Sequence, residues 1–212
     1  MSAAIYSLPA GLYEAIYLLL TAGAEERTIK RPSVKRLDLR RGQTVLDWGC
    51  GTGLLLSTIA EELGGEGSIV GVDRAHHLIR RAAAKKLGND KLKTSFVVCD
   101  GSTGLSLSSS VDVVIACYSL GVSDGTASEA ALSEIRNVLR PGGKILIIDM
   151  YRPEPHTRMQ DAYYRTHAFF ARWLFNQDFS GAALNCARRL FREVSFEQFP
   201  SFLAYAWIGA RE

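Results

Sequence analysis

The stretch Val45-Leu46-Asp47-Trp48-Gly49-Cys50-Gly51-Thr52-Gly53 decides the fold of this 212-residue chain. A short apolar run ends in an acid, and glycine then recurs at every second position. Leu54, Leu55, Leu56, Ile59, Ala60 and Leu63 follow at helical spacing. The pattern predicts a buried strand, a tight glycine loop and the start of a helix. Glycine supplies the dihedrals of such a turn and lets the backbone come close to a ligand. At the carboxyl end of a strand in an open α/β sheet, this is where nucleotides are held.

Outward from the loop, strand-like runs alternate with helical segments, the pattern of a mostly parallel, helix-covered α/β sheet. Strands are expected at residues 44–47, 68–73, 95–99, 111–117 and 144–149, and helices at 54–63, 75–87 and 127–139. Pro141-Gly142-Gly143 ends the third of these helices. Residues 159–175 read as an aromatic-rich helix. Residues 193–199 and 202–209 read as a closing hairpin around Pro200-Ser201, and 12–22 as an apolar front helix.

Composition sets bounds. An apolar content of 47% and a charged content of 22% are ordinary for a globular protein, and 212 residues suit one domain. Such a chain buries roughly 70–75% of its unfolded surface and needs no staple. The net charge of +3 does not by itself argue for nucleic acid. The basic segment 27–41 reads as a solvated connection rather than a phosphate-binding patch. Cys50, Cys99, Cys117 and Cys186 form no CxxC pair, so no metal site and a reducing compartment are expected. With no secretory leader and no apolar run near ~18 residues, the expected location is cytoplasmic.

Three ligands compete for the glycine loop. A Walker loop needs Lys and then Ser or Thr after its last glycine, whereas Leu54 follows Gly53. A dinucleotide fingerprint wants a glycine where Leu54 stands, which weakens NAD and FAD without excluding them. The remaining pattern, D-x-G-x-G-x-G, resembles the first motif of class I S-adenosylmethionine-dependent methyltransferases. The resemblance continues in order through Asp73, Cys99-Asp100, residues 111–120 and residues 139–149 (LRPGGKILIID).

That resemblance implies a Rossmann-like, doubly wound, mostly parallel seven-stranded sheet with a C-terminal antiparallel hairpin. It makes residues 1–212 one methyltransferase domain, with 1–42 as a helical cap and 151–190 as a helical, lid-like insertion. It implies S-adenosyl-L-methionine as cofactor, held by Asp47, Gly49, Cys50, Gly51, Gly53, Asp73, Arg74, Asp100, Gly101, Cys117 and Tyr118. Asp73 is placed to accept from the ribose hydroxyls, Asp100 to receive the adenine amino group, and Asp47 to contact the methionine ammonium. Each acid has a plainer role beside it. Asp73 and Asp100 can cap the turn after a strand, and Asp47 can brace the loop through backbone amides. Trp48 is expected to pack under the loop.

The chain is further similar to the C-methyltransferases of ubiquinone and menaquinone biosynthesis, through Arg40-Arg41-Gly42-Gln43-Thr44-Val45-Leu46-Asp47 and Tyr118-Ser119-Leu120. Gly121-Val122-Ser123 stands where that family carries Arg-Asn-Val, so substrate identity is not carried over. The Asn/Asp-Pro-Pro-aromatic tetrad of base methyltransferases is absent from Ala116-Cys117-Tyr118-Ser119, and no basic stripe with aromatics is present. A small-molecule acceptor is expected, and no nucleic acid. Tyr6, Tyr13 and Tyr17 at the front, and Tyr163, Tyr164, Phe169, Phe170, Trp173 and Phe175 behind, suit an aromatic lid or plain core. Arg158, Arg165 and Arg172 share one helical stripe, which leaves a peripheral membrane contact or a homodimer contact open.

Methyl transfer from a sulfonium is an in-line displacement in which alignment can supply about 7–11 kcal/mol. A general base is needed only where the acceptor must lose a proton. His156 and Tyr118 are the catalytic candidates, with Asp149 and His167 as further polar groups near the expected mouth. A nicotinamide oxidoreductase and a non-catalytic cofactor-binding module stand as alternatives.

Overall fold

The computed structural model describes residues 8–21, 23–87, 90–99, 110–121, 125–151, 157–175 and 179–212. Strand β1 (Thr44–Trp48) is buried from Val45 to Trp48 because it runs mid-sheet. It pairs in parallel with β2 (Gly67–Asp73) on one side and β4 (Val111–Cys117) on the other. β3 (Leu92–Val98) pairs only with β2, and of its residues only Leu92 is buried, as fits an edge strand. β5 (Leu139–Met150) follows β4 in parallel, and β7 (Ala204–Ala210) and β6 (Arg192–Phe199) close the sheet antiparallel. The order β3-β2-β1-β4-β5-β7-β6 is the expected seven-stranded, mostly parallel sheet with its C-terminal hairpin. The winding reverses between β1 and β4, and such switch points hold ligands at the strands' carboxyl ends.

Alternation along the strands divides the core in two. Val45, Ile69, Val113, Ile115, Leu146 and Ile148 meet α3 (Leu56–Glu62), α4 (His76–Ala83) and the front of the chain. Leu46, Val70, Val114, Ile145 and Ile147 meet α5 (Gly125–Val138) and α7 (Ala182–Leu190) on the other face. Between β5 and α7 lies α6 (Arg158–Phe175). Its Tyr164 is buried and its Tyr163 hydroxyl donates to the Ser201 carbonyl at 3.0 Å, while Phe169 and Trp173 are exposed.

Besides α4, which ends at Ala83 and not at residue 87, three boundaries move for local reasons. α3 starts at Leu56, not residue 54, because Gly53 N–H bonds to the Cys50 carbonyl and spends two further residues in the turn. β3 starts at Leu92, not residue 95, because it pairs with β2 from Gly67 onward. β5 starts at Leu139, which pairs with Val111 across a register shift.

The largest departure is segment 27–41, expected as a solvated connection. Here α1 (Ala10–Thr21) is followed by a π-helical turn at Glu26–Lys30 and by α2 (Arg31–Lys35). Ile29, Val34 and Leu37 are fully buried in the first core, worth about 1.5–3 kcal/mol each. Lys30 goes in with them. Glu14 on α1 bonds to Arg81 and Lys85 of the α4 region at 3.2 and 3.1 Å, which ties the front helix across the glycine loop. No helix among the described residues is long and apolar enough to cross a membrane.

Candidate functional site

The glycine loop is built around strand β2. The amides of Gly49 and Cys50 both donate to the Val72 carbonyl, at 2.8 and 2.9 Å, so the chain turns sharply at the end of β1. Gly49, Gly51 and Gly53 have φ of +73°, +53° and +74°. A side chain at Gly49 would strike the Ser119 Cβ at 2.4 Å, and one at Gly53 would strike Leu56 at 2.4 Å. At Gly51 an added Cβ meets nothing within 4 Å, so this turn of the loop borders open space. Ser119 Oγ donates to the Trp48 carbonyl at 2.7 Å and locks the ends of β1 and β4 together. Trp48 itself is buried in the second core.

Two acids flank the loop and differ in environment. Asp73, half-buried at the end of β2, accepts the Gly51 amide at 2.9 Å with one oxygen and the Ala75 amide at 2.8 Å with the other. It braces the loop and the start of α4, and each carboxylate oxygen retains a second lone pair for a ligand. Asp47 is buried, and among the described residues its Oδ2 has no hydrogen-bond partner. Burial pushes its carboxyl up to about 7, the Asp73 charge adds to the rise, and the Lys30 charge opposes it. Thr52 Oγ1 in the same loop is also buried without a partner among these residues. Such orphaned groups in a folded chain call for a ligand or a water.

The β4 end supplies the opposite wall. Burial pushes the Cys117 thiol up to about 12, with Lys30 opposing and Asp47 adding, so it stays neutral. Tyr118 holds a left-handed φ of +52°, uncommon for an aromatic residue, and its amide donates to the Ile148 carbonyl at 2.7 Å. Burial raises its phenol well above the ordinary range, which removes it as a base near neutrality. Asp149 is spent on structure, its oxygens accepting the Gly121 and Met150 amides at 2.7 and 2.8 Å. The roof comes from α1. Tyr13 is pushed up to about 12, by burial and then by Asp73, Cys117 and Glu25, and Tyr17 is raised far higher by burial and by Glu25.

Asp47, Gly49, Cys50, Gly51, Gly53, Asp73, Cys117 and Tyr118 thus converge on the carboxyl ends of β1, β2 and β4. Cys50 takes part through its backbone, because its buried side chain packs in the first core. Arg74 is exposed at the rim. Asp100, Gly101, His156 and Tyr6 lie outside the described residues, as does the side chain of His167. Sequence reasoning missed Lys30, Tyr17's hydrogen bonding and Glu25. The apolar residues Ile29, Val34 and Leu37 were the available signal for an inward face in segment 27–41, and all three are buried.

Comparison with known proteins agrees with this geometry. A family model described as a methyltransferase domain matches residues 39–198. The chain is 29% identical over 170 residues to the ubiquinone/menaquinone biosynthesis C-methyltransferase UbiE of Yersinia enterocolitica, covering 77% of this chain and 65% of that protein. The UbiE of Escherichia fergusonii gives the same figures. The match therefore spans a little under two thirds of these relatives' length. Among solved structures, a chain of the complex between the Haloferax volcanii Trm112 methyltransferase activator and a methyltransferase superposes with a TM-score of 0.72 at 19% identity, covering 100% of this chain and 99% of that one. The N-methyltransferase NodS of Bradyrhizobium japonicum in complex with S-adenosylhomocysteine superposes with a TM-score of 0.64 at 16% identity, covering 86% and 85%.

Proposed function

The chain belongs to the methyltransferase-domain family, and on that premise we propose that it takes S-adenosylmethionine as methyl donor and methylates a small, aromatic or lipophilic acceptor by in-line displacement. The carrying observation is the mouth beside Asp47, which is roofed and walled by Tyr13, Tyr17 and Tyr118, all kept neutral by burial. An aromatic enclosure whose two buried charges, Asp47 and Lys30, oppose each other suits a planar ring and not a polyanionic strand. The UbiE relatives, named for ubiquinone and menaquinone biosynthesis, support a quinone-like ring as one acceptor to test.

The residues present fit this cofactor. Asp47 offers an unsatisfied buried oxygen to its ammonium, and Gly51 leaves the space a ligand backbone needs. Asp73 keeps lone pairs for the ribose, Arg74 stands at the rim, and the sequence resemblance assigns Asp100 and Gly101 to the adenine. Gly49, Cys50 and Gly53 hold the loop in shape, and Cys117 and Tyr118 separate cofactor from acceptor. When bound, S-adenosylmethionine supplies a methyl group already activated by its sulfonium. The chain's task is then to align the acceptor and exclude water. Residues 1–42 act as the cap and 151–190 as the lid. Tyr118, as a neutral phenol, positions the acceptor by packing or donating, and His156 takes the acceptor's proton where one must leave.

Purified protein incubated with labelled S-adenosylmethionine and a panel of phenols, quinols, small amines, transfer RNA and protein tests this reading. Label on a phenol or quinol supports it. Label on RNA or protein alone overturns it.

A further inference from the structure

Two opposite charges are buried at this mouth and do not meet. Asp47 is 2% exposed and Lys30 is 4% exposed, and each feels the other's field. Yet the ion pairs among the described residues include neither side chain. Lys30 Nζ instead donates to the Tyr17 hydroxyl at 2.6 Å, and that hydroxyl donates onward to Glu25 Oε2 at 2.5 Å. Glu25 therefore balances Lys30 only at second hand, through a phenol. The ammonium has three protons and Tyr17 takes one of them. Its remaining surroundings include the faces of Tyr17 and Tyr118, whose ring centres lie 4.6 and 5.6 Å away.

A buried ammonium with no carboxylate in contact is costly, and so is a buried carboxylate with an orphaned oxygen. Lys30 is also the last residue of a π-helical turn, a rare element found disproportionately at functional sites. One ligand group answers both charges at once: an α-amino acid end, with its ammonium and carboxylate on a single carbon.

We propose that Lys30, oriented by Tyr17 and Glu25, holds the α-carboxylate of the cofactor's methionine end, opposite the ammonium held by Asp47. This deepens the S-adenosylmethionine reading and rests on it. The cap then does more than cover the site. It carries the anion-binding half of a zwitterion clamp whose cation-binding half belongs to the sheet. Lys30 is the binding residue here, and Tyr17 and Glu25 are positioning residues.

Calorimetric titration with three ligands separates the alternatives. S-adenosylhomocysteine carries both charges, its decarboxylated analogue only the ammonium, and 5′-methylthioadenosine neither. Lys30→Met is expected to weaken S-adenosylhomocysteine by about 10- to 100-fold, the range for a charge-assisted hydrogen bond. The same variant should leave the decarboxylated analogue and methylthioadenosine within about twofold, which also certifies its fold. Lys30→Arg should recover most of the lost affinity, and Tyr17→Phe should weaken S-adenosylhomocysteine selectively by a smaller factor. Unchanged S-adenosylhomocysteine binding in Lys30→Met overturns the assignment, as does an equal loss for all three ligands, which would make Lys30 a support of the cap. A native protein that bound none of the three would remove the cofactor reading itself, and the assignment with it.

Discussion

Replacing Gly51 by alanine tests whether the loop's open side is the ligand's side. The residue sits at φ +53°, so an alanine there pays the left-handed penalty of about 1–2 kcal/mol. Nothing lies within 4 Å of the added Cβ, so no clash adds to that cost. For a domain of this size the melting temperature should fall by about 2–8 °C. Gly49→Ala starts from the same penalty at φ +73° but drives its Cβ to 2.4 Å from the Ser119 Cβ. Overlap of that kind costs about 1–3 kcal/mol, and displacing Ser119 forfeits about 1 kcal/mol more by breaking its 2.7 Å bond to Trp48. Gly49→Ala should therefore lose about 3–6 kcal/mol. Affinity should order differently from stability. The Gly51 methyl group enters the space a bound nucleoside needs, so S-adenosylhomocysteine should weaken by roughly 5- to 150-fold in a protein that remains well folded. Thermal unfolding and calorimetry on both variants provide the comparison. A Gly51→Ala protein with native affinity would place the ligand elsewhere, and equal destabilisation of the two variants would refute the packing argument.

Four further outcomes follow. Asp47 holds its proton up to about pH 7 in the fold against about 3.9 unfolded, so its stabilising contribution is present below about pH 4 and lost as the pH rises to about 7. Urea unfolding of the cofactor-free protein should show stability falling from pH 5 to pH 8, less steeply in Asp47→Asn, and parallel curves would contradict the shift. Asp73→Ala leaves the Gly51 and Ala75 amides without their acceptor and should cost about 2–4 kcal/mol while weakening methylthioadenosine binding; an unchanged melting temperature would sink the bracing role. Turnover of Tyr118→Phe should keep the native pH profile at reduced kcat, since the phenol does not titrate near neutrality. His156→Ala should lower turnover on an acceptor that must lose a proton, and unchanged turnover would remove His156 from the chemistry.

The glycine loop was legible because everything it needs is local. A short apolar strand, a strand-end acid and three left-handed positions fall within nine residues, and each follows from residue type. The mostly parallel, helix-covered sheet followed from strand-like runs alternating with helical ones, its seven-stranded, doubly wound form from the family resemblance, and its strand order only from the fold. Asp73 was legible as a site residue but not as the brace it is, because its partners are backbone amides that become neighbours only when the loop closes. The aromatic helix was ambiguous for a different reason. Tyr164 and Phe169 differ by five positions and little in chemistry, and only the folded surroundings of α6 decide that one is buried and the other exposed.

Lys30 was hidden by averaging and by geometry. Its segment also holds Arg27, Arg31, Lys35 and Arg36, and a charge count over such a window describes the exposed majority. The π-helical turn then breaks the ordinary helical period, since the buried Ile29 and Val34 stand five residues apart. Its surroundings, Tyr17 on α1, Glu25 before the π-helical turn, Asp47 on β1 and Cys117 on β4, come from separate stretches that meet only in the fold. Formal charge and local electrostatics should therefore separate on mutation. Arg31→Gln and Lys35→Gln each remove one positive charge from the same segment, but at exposed positions facing water. Screening leaves such charges little hold on a buried ligand, so S-adenosylhomocysteine affinity should stay within about twofold of native in both variants. Lys30→Met makes the same change in net charge where the surroundings cannot screen it. Calorimetry in which all three variants lost affinity alike would mean that the segment acts through its summed charge, and the distinction drawn for Lys30 would fall.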